Sequence, residues 1–298
     1  MPDSAAHPYA VRAYAQALVQ GEGAAVEVDA WGACLLARPI ADSGRFDALG
    51  AYPMTPMAAD AALKEGLASL AEEGLVSVVL VPDPLASPPR SDLAAAFSLC
   101  RPFKTHFVVD RTMGEFAPNK HHRQEIRRAL RRCRVETVSL AEHAATFAGL
   151  YGELIARHDI RGVAAFSDAY FVALADDARM TAFAAVVEEE IAAMTIWFEH
   201  EGVAYNHLGA SNAAGYRAGA NYALYDAAIA HFAGADRLNL GGSAGATDDP
   251  NDGLAFFKRG FANAEAQALL CGAVLDQAAY DALTAGRPTT GFFPAYRG

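Results

Sequence analysis

Apolar positions in this chain follow two periods, short runs fit for strands and longer stretches with a helical repeat. Early in the chain, 25–28 and 31–37 read as strands with a turn between them. A loop with Gly and Pro (50–56) leads to a helical stretch at 59–73. A β-branched run at 76–81, a helix near 91–99 and a strand at 105–109 follow. From about Ile191 the order returns. Strand 193–198 turns at Glu201-Gly202 into strand 203–210, and a Gly-containing loop (215–220) opens helix 221–232. Strand 237–240, a short helix at 254–259 and strand 267–274 complete it. Strand, strand, loop, helix, strand, helix, strand therefore occurs twice, which predicts an internally duplicated α/β (α+β) fold. The connector holds a basic helix, with Ile126, Ala129, Leu130 and Cys133 at helical spacing on one face, and two more helices at 141–158 and 167–175.

Composition supports a packed core: of 298 residues, 53% are hydrophobic and 20% charged. No apolar run approaches the roughly 18 residues of a membrane span, and Met1–Ala10 lacks the basic and apolar segments of a secretory signal. Cys34, Cys100, Cys133 and Cys271 are scattered, which points to free thiols in a reducing cytoplasm and against a structural zinc site. A net charge of -11 argues against general nucleic-acid binding. Yet Lys120, Arg123, Arg127, Arg128, Arg131, Arg132 and Arg134 crowd together, with Glu125 as the one acid among them. Such a cluster suits an electropositive entrance for tRNA or an anionic substrate. Pairing with acids elsewhere, such as Glu188–Glu190 or Asp248-Asp249, is the alternative.

Four segments carry a family resemblance. The first is the basic helix Lys120-His121-His122-Arg123-Gln124-Glu125-Ile126-Arg127-Arg128-Ala129. The second is Arg157-His158-Asp159-Ile160-Arg161-Gly162 with Phe166-Ser167-Asp168-Ala169-Tyr170-Phe171. The third is Tyr205-Asn206-His207-Leu208-Gly209-Ala210-Ser211 leading to Tyr216-Arg217-Ala218-Gly219-Ala220-Asn221. The last is Asn239-Leu240-Gly241-Gly242-Ser243 followed by Gly253-Leu254-Ala255-Phe256-Phe257-Lys258-Arg259-Gly260-Phe261. In that order they resemble Fem-type transferases and their relatives in the acetyltransferase (GNAT) superfamily. The resemblance implies tandem GNAT-like lobes, 1–118 and a catalytic 119–298, each a mixed central sheet flanked by helices. It implies transfer of an aminoacyl group from aminoacyl-tRNA, or of an acyl group from acyl-CoA, to an amine of a small molecule or cell-envelope precursor. Either donor would be a co-substrate, with no tightly bound cofactor and no metal. A protein that keeps the fold for binding and has lost the chemistry is a third reading.

Several residues could carry the transfer. Phe257-Lys258 matches the Phe-Lys pair at the donor end of the Fem cleft, where a lysine can stabilise a developing oxyanion. As a plain amphipathic helix, the same segment would bury Phe256, Phe257 and Phe261 and leave Lys258 in water. On strand 203–210, alternation puts Tyr205 and His207 on one face and Asn206 on the other. His207 could be a general base or a buried, hydrogen-bonded histidine. Gly219 lies where GNAT enzymes hold the pyrophosphate of coenzyme A at a helix N-terminus. Around it Tyr216 and Asn221 depart from the usual pattern, Arg217 could contact an anion, and Asn221 could equally be a solvent-facing cap. Ser211, Gly242, Ser243, Arg123 and Arg127 complete the candidate binding set, with Gly241-Gly242-Ser243 letting substrate backbone approach or forming a simple turn. Asp248–Gly253 lacks the ligand spacing of an EF-hand and reads as a loop at the cleft edge.

Overall fold

A computed structural model describes residues 6–19, 21–245, 249, 252–287 and 291–298. The chain begins with α1 (Arg12–Leu18), β1 (Ala24–Val28), β2 (Ala33–Ile40), β3 (Arg45–Leu49), α2 (Leu63–Glu72), β4 (Ser77–Leu80), α3 (Arg90–Ala96) and β5 (Leu99–Asp110). It continues through α4 (Lys120–Ala129), β6 (Arg134–Val138), α5 (Leu140–His158), α6 (Asp168–Ala175), β7 (Thr181–Val187), β8 (Glu190–His200) and β9 (Val203–Ser211). The last elements are α7 (Ala213–Ala218), α8 (Ala220–His231), β10 (Arg237–Asn239), α9 (Gly253–Arg259), β11 (Ala264–Val274) and α10 (Gln277–Thr284).

These elements gather into two units, one of Met1–Phe103 with Gln267–Gly298 and one of Lys104–Ala266. In the first, the strand order is β1-β2-β3-β4-β11; β3 and β4 are parallel and the other neighbours antiparallel. In the second it is β6-β7-β8-β9-β10-β5, with β9 and β10 parallel and the rest antiparallel. Each unit is thus an antiparallel meander, one parallel step and one antiparallel closing strand. The repeated order of elements in the sequence reflects this repeated topology, and the fold is a tandem pair of mixed α/β lobes. The lobes are not consecutive halves of the chain, however. The strand that follows α3, β5, closes the second unit, and the strand that follows α9, β11, closes the first.

Strands β3, β6 and β7 and helices α1 and α10 are absent from the sequence reading. β3 and β6 are five-residue strands with charged residues and weak alternation, and β7, with three alanines in seven residues, is apolar on both faces. The stretch 215–220, read as a loop, is mostly helix α7, ending on Gly219 in the left-handed region (φ 72°). The basic helix also stops earlier than its charge run. Leu130 is its C-cap, Arg131 and Arg132 form a turn, and Arg134 opens β6. Leu130 is consequently exposed, while His122 joins Ile126, Ala129 and Cys133 on the buried side.

Cores form separately in the two units. In the first, the Trp31 indole is fully buried and donates to the Leu63 carbonyl (3.2 Å). It lies on Gly66 so closely that a Cβ there would fall 2.2 Å from the ring nitrogen. In the second, α4, α8 and α9 pack on the sheet face bearing Phe107, Val109, Leu238, Leu240 and Trp197. Alanines 220, 223 and 228 of α8 let backbone approach backbone there. On the other face, α5 and α6 interlock the rings of Phe147, Tyr151, Phe166, Tyr170 and Phe171.

Asp47 on β3, itself fully buried, joins three groups of the first unit. Arg297 forks onto both its carboxylate oxygens (2.6 and 2.9 Å), Arg38 reaches it at 3.2 Å and the Tyr296 hydroxyl donates at 3.1 Å. Replacing Asp47 by Ala strands two partly buried guanidiniums, and should cost about 3–5 kcal/mol. Urea unfolding monitored by tryptophan fluorescence checks this, and a loss below about 1 kcal/mol would contradict it.

Candidate active site

Lys258 is the group around which the second unit's polar chemistry collects. Its side chain is 8% exposed and its ammonium donates to the Gly242 carbonyl (2.8 Å). Local geometry prepares that carbonyl. Asn239, the last residue of β10, is buried, and its Oδ1 accepts from the Gly241 N–H (2.9 Å), turning the chain at the strand end. Gly241 takes φ 76°, which favours glycine. A Cβ on Gly242 would meet the Thr105 carbonyl at 3.0 Å, so this second glycine is needed for close approach to β5. The next carbonyls are also gripped: Lys104 Nζ donates to Ser243 (2.8 Å) and to Gly245. Burial, and secondarily the Lys104 charge, lowers the Lys258 pKa to about 7 against the opposing pull of Asp252.

Helix α9 is fixed at both ends. Asp252 caps it, its Oδ1 accepting from the Ala255 N–H (2.9 Å). Near the C-terminus, His122 of α4 is completely buried, with Nε2 2.8 Å from the Phe257 carbonyl. A carbonyl only accepts, so Nε2 carries the proton, and burial lowers the His122 pKa. The imidazole sits over Gly260, where a Cβ would fall 1.9 Å from the ring. Phe257 packs edge-on against Tyr222 and Tyr225 (centroids 5.0 and 4.8 Å) and contacts Phe261. Phe256 points out, 56% exposed. A simple amphipathic helix would bury Phe256 and solvate Lys258; the structure does the reverse.

The β9 candidates divide between the two faces. Ile196 pairs with Leu208 and Trp197 with Asn206, so His207 is the extra residue of a β-bulge. Tyr205 stacks on Phe198 (5.0 Å) and His207 Nε2 meets the Tyr170 hydroxyl of α6 (2.7 Å). Asn206 faces α8 instead, accepting from Tyr225 OH and donating to Thr195 Oγ1 (both 2.9 Å). Tyr205 and His207 therefore sit on the α5/α6 face, away from the α8/α9 face that carries Phe257. Burial pushes the His207 pKa down to about 3, so it is neutral at pH 7 and a weak base.

At the junction of α7 and α8, the helix cap is Gly219 and not Asn221. Asn221 is the second residue of α8, with Oδ1 accepting from Ser211 Oγ (3.2 Å). Tyr216 is half-exposed beneath the Arg157 guanidinium (4.6 Å), and the Arg217 carbonyl accepts from Arg132 (3.1 Å). Arg123 and Arg127 lie on the exposed face of α4, Arg123 bonding the Pro118 carbonyl. Of the cleft-edge loop, Asp248, Pro250 and Asn251 lie outside the described residues. The structure thus gathers Lys258, Gly242 and Ser243, links Phe257 to Asn206 through Tyr225, and pairs Ser211 with Asn221. His207 joins none of these. Lys104, His122 and Asn239 were not among the sequence candidates. Asn239 before Gly-Gly carries a turn signal; Lys104 and His122 carry none, because their partners are remote in sequence.

Among the described residues no cluster of His, Cys, Asp and Glu could hold a metal ion, and no helix is long and apolar enough to cross a membrane. Residues 120–259 match the model of the acetyltransferase (GNAT) domain, which spans α4 to α9. Over that segment, a little under half of the chain, the sequence is similar to GNAT acetyltransferase domains, which supports an acyltransferase. Among solved structures, the chain is similar in fold over most of its length to the three that follow. The C-terminal DUF2156 domain of an Agrobacterium fabrum protein described as a lysylphosphatidylglycerol synthetase superposes with TM-score 0.62 at 16% identity, covering 91% of each chain. FemX superposes with TM-score 0.60 at 13% identity, covering 93% of this chain and 94% of that one. L-PGS from Bacillus licheniformis gives 0.58 at 16%, covering 82% and 81%. At these identities the likeness is one of fold. No protein of curated description matches by sequence.

Two outcomes follow. Gly260→Ala forces a methyl into the His122 ring; overpacking of this kind costs about 1–3 kcal/mol, measurable as a lower urea midpoint at unchanged m. His207 should show no imidazole titration by NMR between pH 5 and 8. Its folded pKa lies below the unfolded 6.5, so its contribution to stability is present above pH 6.5 and is lost as pH falls towards 3.

Proposed function

We propose that this acyltransferase is of Fem type: it moves an aminoacyl group from aminoacyl-tRNA to the amine of a small molecule or cell-envelope precursor. The observation that carries the reading is the buried Lys258 ammonium beside Phe257, held on a strand-end carbonyl and poised near neutrality. In this reading the acceptor amine attacks the ester carbonyl, the acyl C–O bond to the ribose breaks, and the proton lost by the nitrogen ends on the departing ribose oxygen. Lys258 stabilises the charge that develops on oxygen and Phe257 orients the acyl ester. His207, neutral and buried beneath α6, is not the base; the amine enters unprotonated, and placement of the two reactants supplies much of the rate. Arg123 and Arg127 on the exposed face of α4 offer charge to the tRNA phosphates. Gly242, Ser243, Ser211 and Asn221 line the binding set.

Coenzyme A is the donor in a second reading, favoured by the GNAT domain match and by Gly219 at the start of α8. Tyr216 and Asn221 stand against it, because neither supplies the usual contacts of the pyrophosphate loop. Incubation with a panel of charged tRNAs and amines tests the first reading, and failure to consume any aminoacyl-tRNA sinks it. Micromolar binding of acetyl-CoA by calorimetry would favour the second.

Lys258→Ala should lower kcat by about 10²–10³-fold, the usual loss on removing one oxyanion donor. An oxyanion partner must be protonated, so kcat/KM should fall as pH rises through about 7. Lys258→Arg, cationic throughout, should lose that falling limb. A pH–rate profile with the same limb in both variants would remove Lys258 from the chemistry.

A further inference from the structure

Two ammonium groups converge on one loop from elements far apart in sequence. Lys258 of α9 holds the Gly242 carbonyl, and Lys104 of β5 holds those of Ser243 and Gly245. Gly242 lies against the stem of Lys104, a Cβ there falling 3.4 Å from the lysine Cβ, so strand and loop are in direct contact. We propose that Lys104 is a positioning residue for Lys258: by clamping the carbonyls of Ser243 and Gly245, it holds the Gly242 carbonyl where the Lys258 ammonium meets it.

The clamp has an electrostatic side. A second cation bonded to the same loop opposes the charged form of Lys258, which is buried, while Lys104 itself is half-buried. Other charged groups near Lys258 act differently. Asp252, at the start of α9, favours the ammonium. Arg259, the next residue, turns to the Phe107 ring (5.2 Å) and to Glu265 (4.0 Å). His122 of α4 meets the Phe257 carbonyl and is itself disfavoured as a cation by burial. Lys104 thus both shapes the loop and eases loss of the Lys258 proton. For catalysis, this rests on the reading that Lys258 acts on the substrate.

The test separates the two. Trace labelling of the full chain by acetic anhydride, read at the Lys258 peptide by mass spectrometry across pH 5–11, reports the Lys258 titration without any substrate. Lys104→Gln should raise the labelling midpoint by roughly one pH unit, and Lys104→Arg should leave it near the wild-type value. Lys104→Met, which keeps the length of the stem, should match Lys104→Gln and guards against a fold defect in one variant. An unchanged midpoint in variants with native near-UV circular dichroism overturns the proposal. If the midpoint moves and the falling limb of kcat/KM moves with it, both readings stand. If the midpoint moves and the rate profile does not, Lys104 still positions Lys258, and the catalytic role of Lys258 fails.

Discussion

Parallel pairing of β9 with β10 is the constraint on which the second unit depends. Strands that run the same way cannot be joined by a hairpin, so the chain must cross over, and here α7 and α8 make the crossing. That crossing places the start of α8 beside the end of β9, where Ser211 and Asn221 bond. It also brings β10 to an end among residues of β5 and releases the Gly-Gly loop there. The same parallel step joins β3 to β4 in the first unit, with α2 as the crossover. One topological requirement, met twice, accounts for the duplicated order.

Within that frame, chemistry is set by desolvation. Lys258 is kept from water by α9, whose register is held by His122 on the Phe257 carbonyl and by the absence of a side chain at Gly260. A lysine so placed loses much of its preference for the charged state and keeps one strong acceptor, the Gly242 carbonyl. His207 is desolvated too, but with a tyrosine partner and none of the same surroundings, so it stays neutral. Two buried bases on one strand-and-helix framework are thereby left with different partners and different proton affinities.

Much of this was legible in the chain. The strands with clear alternation, the helices with clean periodicity and the repeat were all readable, because local pattern determines them. The Phe-Lys segment was singled out by its family resemblance, and the structure adds the burial of its lysine. Strands β6 and β7 were not: the first is hidden behind an arginine run that reads as continuing helix, and the second is alanine-rich with no alternation. Burial of Lys258 in place of Phe256 was equally hidden, since helical spacing allows either and only the packed Tyr222, Tyr225 and Phe261 decide it. Lys104 could not be seen at all. Its importance comes from a pairing across the length of the domain that no local signal encodes.

The exchange of closing strands bears on how the molecule is made. A ribosome that has delivered β1 to β4 has produced a sheet whose β4 edge has no covering strand, because β11 lies near the other end of the chain. That edge is open for most of synthesis. β4 is short, four residues, and all of them are buried in the finished protein. During translation it is therefore an apolar edge that any extended chain could extend, and the first unit is the last to be finished although it is the first to be begun.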